Sequence, residues 1–187
     1  MGASLSWVAV QGRSAAALRA ALSLVSTGRF SELAEAPYSG ADLKSGWTLV
    51  QRDRCDADFL RDKTLEGLSK SCELVAVSLE EHVMASLAEG WTDGRRVWSL
   101  SHNSEEGIKH LEEGGSPPKA FAAIKERAFQ RQREKDAEGV DYIFDVPLEL
   151  ARFLTGYKHD EDGPDDFEVL EPIPQPGFWS RLFGRRQ

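Results

Sequence analysis

Residues 72–102 read Cys-Glu-Leu-Val-Ala-Val-Ser-Leu-Glu-Glu-His-Val-Met-Ala-Ser-Leu-Ala-Glu-Gly-Trp-Thr-Asp-Gly-Arg-Arg-Val-Trp-Ser-Leu-Ser-His. Leu74 to Leu79 is too uniformly apolar for a strand with one wet face, so it predicts a strand buried in the middle of a sheet. Asp93-Gly94 supplies the positive φ angles that a tight two-residue hairpin turn requires. The arms of that hairpin fall at about residues 83–91 and 95–102. A two-residue turn pairs Trp91 with Arg96, Glu89 with Trp98, Leu87 with Leu100 and Ala85 with His102. That register places Leu87, Trp98 and Leu100 on the core face.

Outward from this stretch the pattern alternates strand and helix. Leu5–Val10 reads as a further strand, ended by Gly12. Ser14 can cap a helix over residues 15–25, with Leu18, Ala21, Leu22 and Val25 on one side and Gly28 as its stop. Residues 29–46 read as an irregular connection, Trp47–Gln51 as a strand, and residues 58–69 as a helix. Ser116-Pro117-Pro118 is a strong helix start, because proline in the first turn loses no hydrogen bond. That helix runs to about Asp136. A last one begins at Pro147 and ends near Thr155.

These elements predict one α+β domain over residues 1–157, a mixed or mostly antiparallel sheet of about five strands covered by helices, on one face. From Lys158 the composition changes. Residues 160–171 hold seven acidic groups, and Pro172, Pro174 and Pro176 follow. This predicts an extended acidic tail over residues 158–187. It ends in an aromatic and basic segment with Phe178, Trp179, Arg181, Leu182, Phe183, Arg185 and Arg186.

At 187 residues the chain can build an ordinary core. The net charge of −8 argues against nucleic acid as a partner, because phosphate contacts need clustered Lys and Arg. No apolar run approaches the roughly 20 residues that span a bilayer. The first residues lack the basic and long apolar regions of a secretory signal, so a cytoplasmic location is expected. Cys55 and Cys72 fit that compartment as free thiols.

No diagnostic catalytic motif is present: neither Gly-x-Ser-x-Gly nor His-Glu-x-x-His occurs. Glu80, Glu81, His82, Glu89 and His102 are the candidates for chemistry, the first three and His102 for acid–base or metal work. Adjacent strand residues point to opposite faces, however, which separates Glu81 from His82. Aligning Gly163 with the glycine of a calcium loop puts Lys158 and Val169 at ligand positions, and the loop fails. No cofactor or metal is expected.

For binding, Trp91 is expected to be partly exposed beside Arg95 and Arg96, residue types enriched in contact hot spots. Phe178, Trp179 and Phe183 form a second sticky segment, expected to dock on the protein's own body or a partner in preference to a membrane. The sequence thus predicts a non-enzymatic protein-binding protein, immunity- or adaptor-like, whose acidic surface meets a basic protein partner. The alternative is a small hydrolase working through Glu81, His82 and His102.

Overall fold

The computed structural model describes residues 2–135, 139–161 and 163–174. Its centre is β1 (Ser4–Gln11), which pairs antiparallel with β4 (Trp47–Arg52) on one side and β5 (Glu73–Glu80) on the other. Leu5, Trp7 and Ala9 of β1 join one apolar cluster, and Val8 and Val10 join another. A strand apolar on both sides must be covered on both sides. Helices therefore lie on both faces, which corrects the single covered face expected from sequence. α1 (Ala15–Ala21) and α2 (Asp62–Leu68), with a 3₁₀ turn at Asp58–Leu60, cover the Val8 side. α3 (Ala120–Glu134) and α4 (Asp145–Thr155) cover the Trp7 side.

The sheet has nine antiparallel strands, not about five, in the order β2-β9-β3-β4-β1-β5-β6-β7-β8. The additional strands are β2 (Leu24–Ser31), β3 (Tyr38–Asp42), β8 (Glu112–Gly115) and β9 (Phe167–Pro172). β3, β8 and β9 are short, and β2, β8 and β9 lie at or next to an edge, where polar and glycine residues carry no apolar alternation. β9 pairs with both β2 and β3 and buries Phe167 and Leu170, so the segment expected as tail contributes a strand across the boundary drawn near residue 158. Ser14 caps α1 as expected, accepting from the Ala17 amide. The helix then stops short, at Ser23 with φ +57°, and Leu24 opens β2 instead of extending α1.

The hairpin pairs β6 (Ala85–Thr92) with β7 (Arg95–Asn103) across Asp93 and Gly94, both with positive φ. Trp91 faces Arg96 as expected, but a bulge between Gly90 and Trp91 shifts everything beyond it by one residue. Gly90 then faces Trp98, Ala88 faces Leu100 and Ser86 faces His102. A one-residue slip exchanges the faces of a strand. Ala88, Trp98, Leu100 and His102 consequently point toward α4, and Leu87, expected in the core, lies on the opposite face, half-buried. The Trp98 indole crosses directly over Gly90, where a β-carbon would stand 1.9 Å from its nitrogen.

Candidate functional site

The residues weighed for acid–base chemistry do not meet. Glu81 accepts a hydrogen bond from the Ala3 amide at 2.7 Å and faces His159 at 3.2 Å, tying the start of β1 to the segment after α4. His82 is exposed and pairs with Glu80 at 2.6 Å. Hydrogen bonds from Ser4 and His82 hold the Glu80 carboxyl down at about 2. His102 is buried on the other side of the hairpin register.

Sequence reasoning missed the partner of His102. Its Nε2 lies 2.9 Å from Asp141, and its Nδ1 lies 2.7 Å from the carbonyl oxygen of His110. Both ring nitrogens thus face oxygen atoms, one of a carboxylate and one of a backbone carbonyl. The other oxygen of Asp141 accepts from the amides of Ile143 and Phe144, capping the turn into α4. Asp141 lies 39 residues from His102, so only the fold brings the two together.

Among the described residues, Glu106, His110 and Glu112 place donor atoms within 4.8 Å of one another, as a metal site would. The tautomer of His110 argues against that use. Its Nδ1 accepts from the Asn103 amide at 2.9 Å, which leaves the proton of a neutral ring on Nε2. A metal-binding imidazole needs a lone pair at the ligating nitrogen and carries its proton on the other. Nε2 instead carries that proton and lies 3.3 Å from Glu106 without hydrogen-bond geometry among the described residues.

Trp91 is buried, at 6% exposure, and not partly exposed as expected. Its indole N–H donates to Glu89 at 3.2 Å, and Arg96 donates to the same carboxylate at 2.7 Å. The Arg96 guanidinium lies over the Trp91 ring, 5.9 Å from its centre. This closes Trp91 and Arg96 on a buried carboxylate of their own chain. Arg95 and Arg96 are both exposed, but Arg96 is committed to Glu89, which leaves Arg95 as the uncommitted one of the three. Phe178, Trp179 and Phe183 lie outside the described residues.

Lys158, at 8% exposure, is caged by Asp145 at 3.1 Å, Glu149 at 3.3 Å and Asp160 at 3.3 Å. Burial opposes its charge, but the three carboxylates outweigh burial and hold the ammonium above its ordinary value. Burial pushes the Asp145 carboxyl up despite the Lys158 charge. The cage clips the segment that leads into β9 against α4.

That segment and β2 frame the feature with the clearest binding character. Phe30 is 65% exposed and walls a hollow floored by Gly40, Ala41, Leu49 and Val50 beside α1. Asp42, Asp166 and Glu168 supply three carboxylates there, against the single guanidinium of Arg19. Arg19 and the Ser26 hydroxyl both satisfy Glu168. Asp42 accepts from Thr48 at 2.7 Å, and Asp166 is exposed with no cation within ion-pair distance among the described residues. Farther along, Leu33 is 62% exposed beside Asp160 and Glu161. The result is two large apolar side chains set among acidic groups.

Comparison with protein-family models, curated proteins and solved structures returned no match to this chain. Among the described residues no helix is long and apolar enough to cross a membrane.

Proposed function

We propose that this chain is a non-enzymatic binding protein, immunity- or adaptor-like in kind, that engages a basic protein partner through the acid-rimmed hollow beside Phe30. The observation that carries this reading is the exposure of Phe30 beside Asp42 and Asp166, two carboxylates with no cation partner among the described residues. An apolar anchor within a charged rim is the usual anatomy of a protein contact. The acidic rim steers a cationic partner and fixes its register, while the aromatic supplies most of the affinity. A partner arginine reaching Asp166 or Asp42 makes a charge-assisted hydrogen bond, and its guanidinium can lie on the Phe30 ring. The separation of Glu81, His82 and His102 supports binding over the hydrolase alternative, which needs them in one pocket.

Affinity capture from the native host lysate, with wild type, Phe30→Ala and Asp166→Lys compared side by side, tests the proposal. The expected result is one stoichiometric basic protein on wild type that is lost from both variants. Equal recovery on all three refutes this face as the contact.

A further inference from the structure

We infer that the hollow between α3 and α4 binds a small zwitterion of amino-acid size, its carboxylate held by Arg127 and Arg131 and its ammonium by Asp145 and Glu149. This hollow lies in the other helix layer from the one beside Phe30 and shares no residue with it, so it stands apart from the partner proposed above.

α3 and α4 pack against each other, and a hollow of about 180 Å³ opens between them. One wall carries Arg127 and Arg131, four residues apart on α3 and therefore neighbours on one face. The other carries Asp145 and Glu149, related in the same way on α4. Charges of both signs thus line one space, yet neither arginine forms an ion pair among the described residues. Glu134, three residues on from Arg131, accepts from Gln130 instead. Two guanidiniums one turn apart repel each other, and a bound carboxylate removes that cost. On α4, Lys158 takes Oδ1 of Asp145 and Oε1 of Glu149, and Oδ2 of Asp145 has no partner among the described residues. Burial still pushes the Asp145 carboxyl up, so the Lys158 charge leaves this anion short of compensation. Ile124, Ala128 and Val146 add apolar surface to the lining. Tyr142 joins it from a segment held in place by Gln132, which is fully buried, accepts from the Tyr142 amide at 2.8 Å and donates to the Val140 carbonyl at 3.1 Å.

This charge pattern selects the ligand. A phosphate would meet Asp145 and Glu149, and a simple amine would meet Arg127 and Arg131. A carboxylate and an ammonium on one small molecule satisfy both walls, the carboxylate through the fork that a guanidinium offers. The volume is below the roughly 300 Å³ at which pockets for drug-sized ligands begin, which suits a single amino acid with its aliphatic side chain on Ile124, Ala128 and Val146.

Isothermal titration of the full chain with L-leucine, L-isoleucine, L-valine and L-methionine in turn tests the site. The expected result is saturable one-to-one binding of at least one of them. The amide of that amino acid lacks the carboxylate and its deamino analogue lacks the ammonium, so each should bind at least about tenfold more weakly. Arg127→Gln and Arg131→Gln should weaken the amino acid by the same factor and leave the urea midpoint unchanged, because both side chains are exposed and unpaired. Asp145→Asn, which keeps an oxygen for Lys158, should weaken binding likewise. Absence of binding by all four amino acids overturns the inference. So does an amide or deamino analogue that binds as tightly as its parent, or binding unchanged in both arginine variants. Inorganic phosphate that binds wild type and is lost from the arginine variants, with the amino acids inert, overturns it in favour of a plain anion site.

Discussion

Replacing Asp141 by alanine should destabilise the fold far more than replacing it by asparagine. The carboxylate accepts three hydrogen bonds, one from His102 and one each from the Ile143 and Phe144 amides. The side chain of His102 is fully buried and that of Asp141 is 7% exposed, so water cannot take over these bonds. Alanine leaves a buried donor on His102 without an acceptor and removes the cap. Breaking one side of a buried pair costs about 3–5 kcal/mol, and the lost cap alone accounts for about 1 of that. Asparagine keeps an oxygen for the two amides and offers its N–H₂ to Nε2. His102 Nδ1 still faces the His110 carbonyl. All the hydrogen bonds survive, so the cost should stay near 1 kcal/mol. Urea unfolding followed by tryptophan fluorescence reads the difference as a shift in midpoint at constant slope. Equal midpoints for Asp141→Ala and Asp141→Asn, or an alanine variant as stable as wild type, would refute the pairing of His102 with Asp141.

Other consequences of the packing can be measured in the same way. Lys158→Met strips the shared cation from three carboxylates and should cost about 2 kcal/mol, below the full buried-pair value because those partners are half-exposed. The ammonium is held above its ordinary value, so its contribution is complete below about pH 10 and fades as pH rises through the folded value. The stability gap between Lys158→Met and wild type should therefore narrow in alkaline solution. The Tyr157 hydroxyl is also pushed up, by burial, and donates to Gln51 at 2.5 Å. Unfolding releases its proton above about pH 10, so wild type should lose stability there, and Tyr157→Phe should flatten that limb. Gly90→Ala drives a methyl into the Trp98 indole and should cost about 1–3 kcal/mol, with a change in near-ultraviolet circular dichroism as the ring is displaced.

Much of this architecture was written in local pattern. The continuous apolar runs of β1 and β5, the Asp93-Gly94 turn, the Ser14 cap and the double-proline start before α3 each depend on near neighbours, and they appear within a few residues of where the sequence places them. What escaped depended on distant partners. β8 is Glu-Glu-Gly-Gly and becomes a strand only because β7 is beside it. β9 sits in an acidic, proline-bounded stretch whose Phe167 and Leu170 go to opposite sides of the sheet, so no alternation advertises it. The bulge at Gly90 leaves no trace in composition, yet it exchanged Leu87 for Ala88 on the core face opposite Leu100. The candidate site suffered most. Trp91 read as a contact residue because it is next to the turn, but Glu89 and Arg96 close over it. Phe30, in a stretch that read as a loose connection, stands exposed on β2, and the carboxylates around it come from β3, β9 and the residue before β9.

The account turns on whether the acidic hollow beside Phe30 is a contact surface. Isothermal titration of the basic protein recovered by affinity capture, against wild type, Phe30→Ala and Asp166→Lys, addresses it directly. Each substitution should weaken binding by at least about tenfold, equivalent to about 1.4 kcal/mol, and leave the urea midpoint unchanged. Dissociation constants that stay the same in both variants would contradict it.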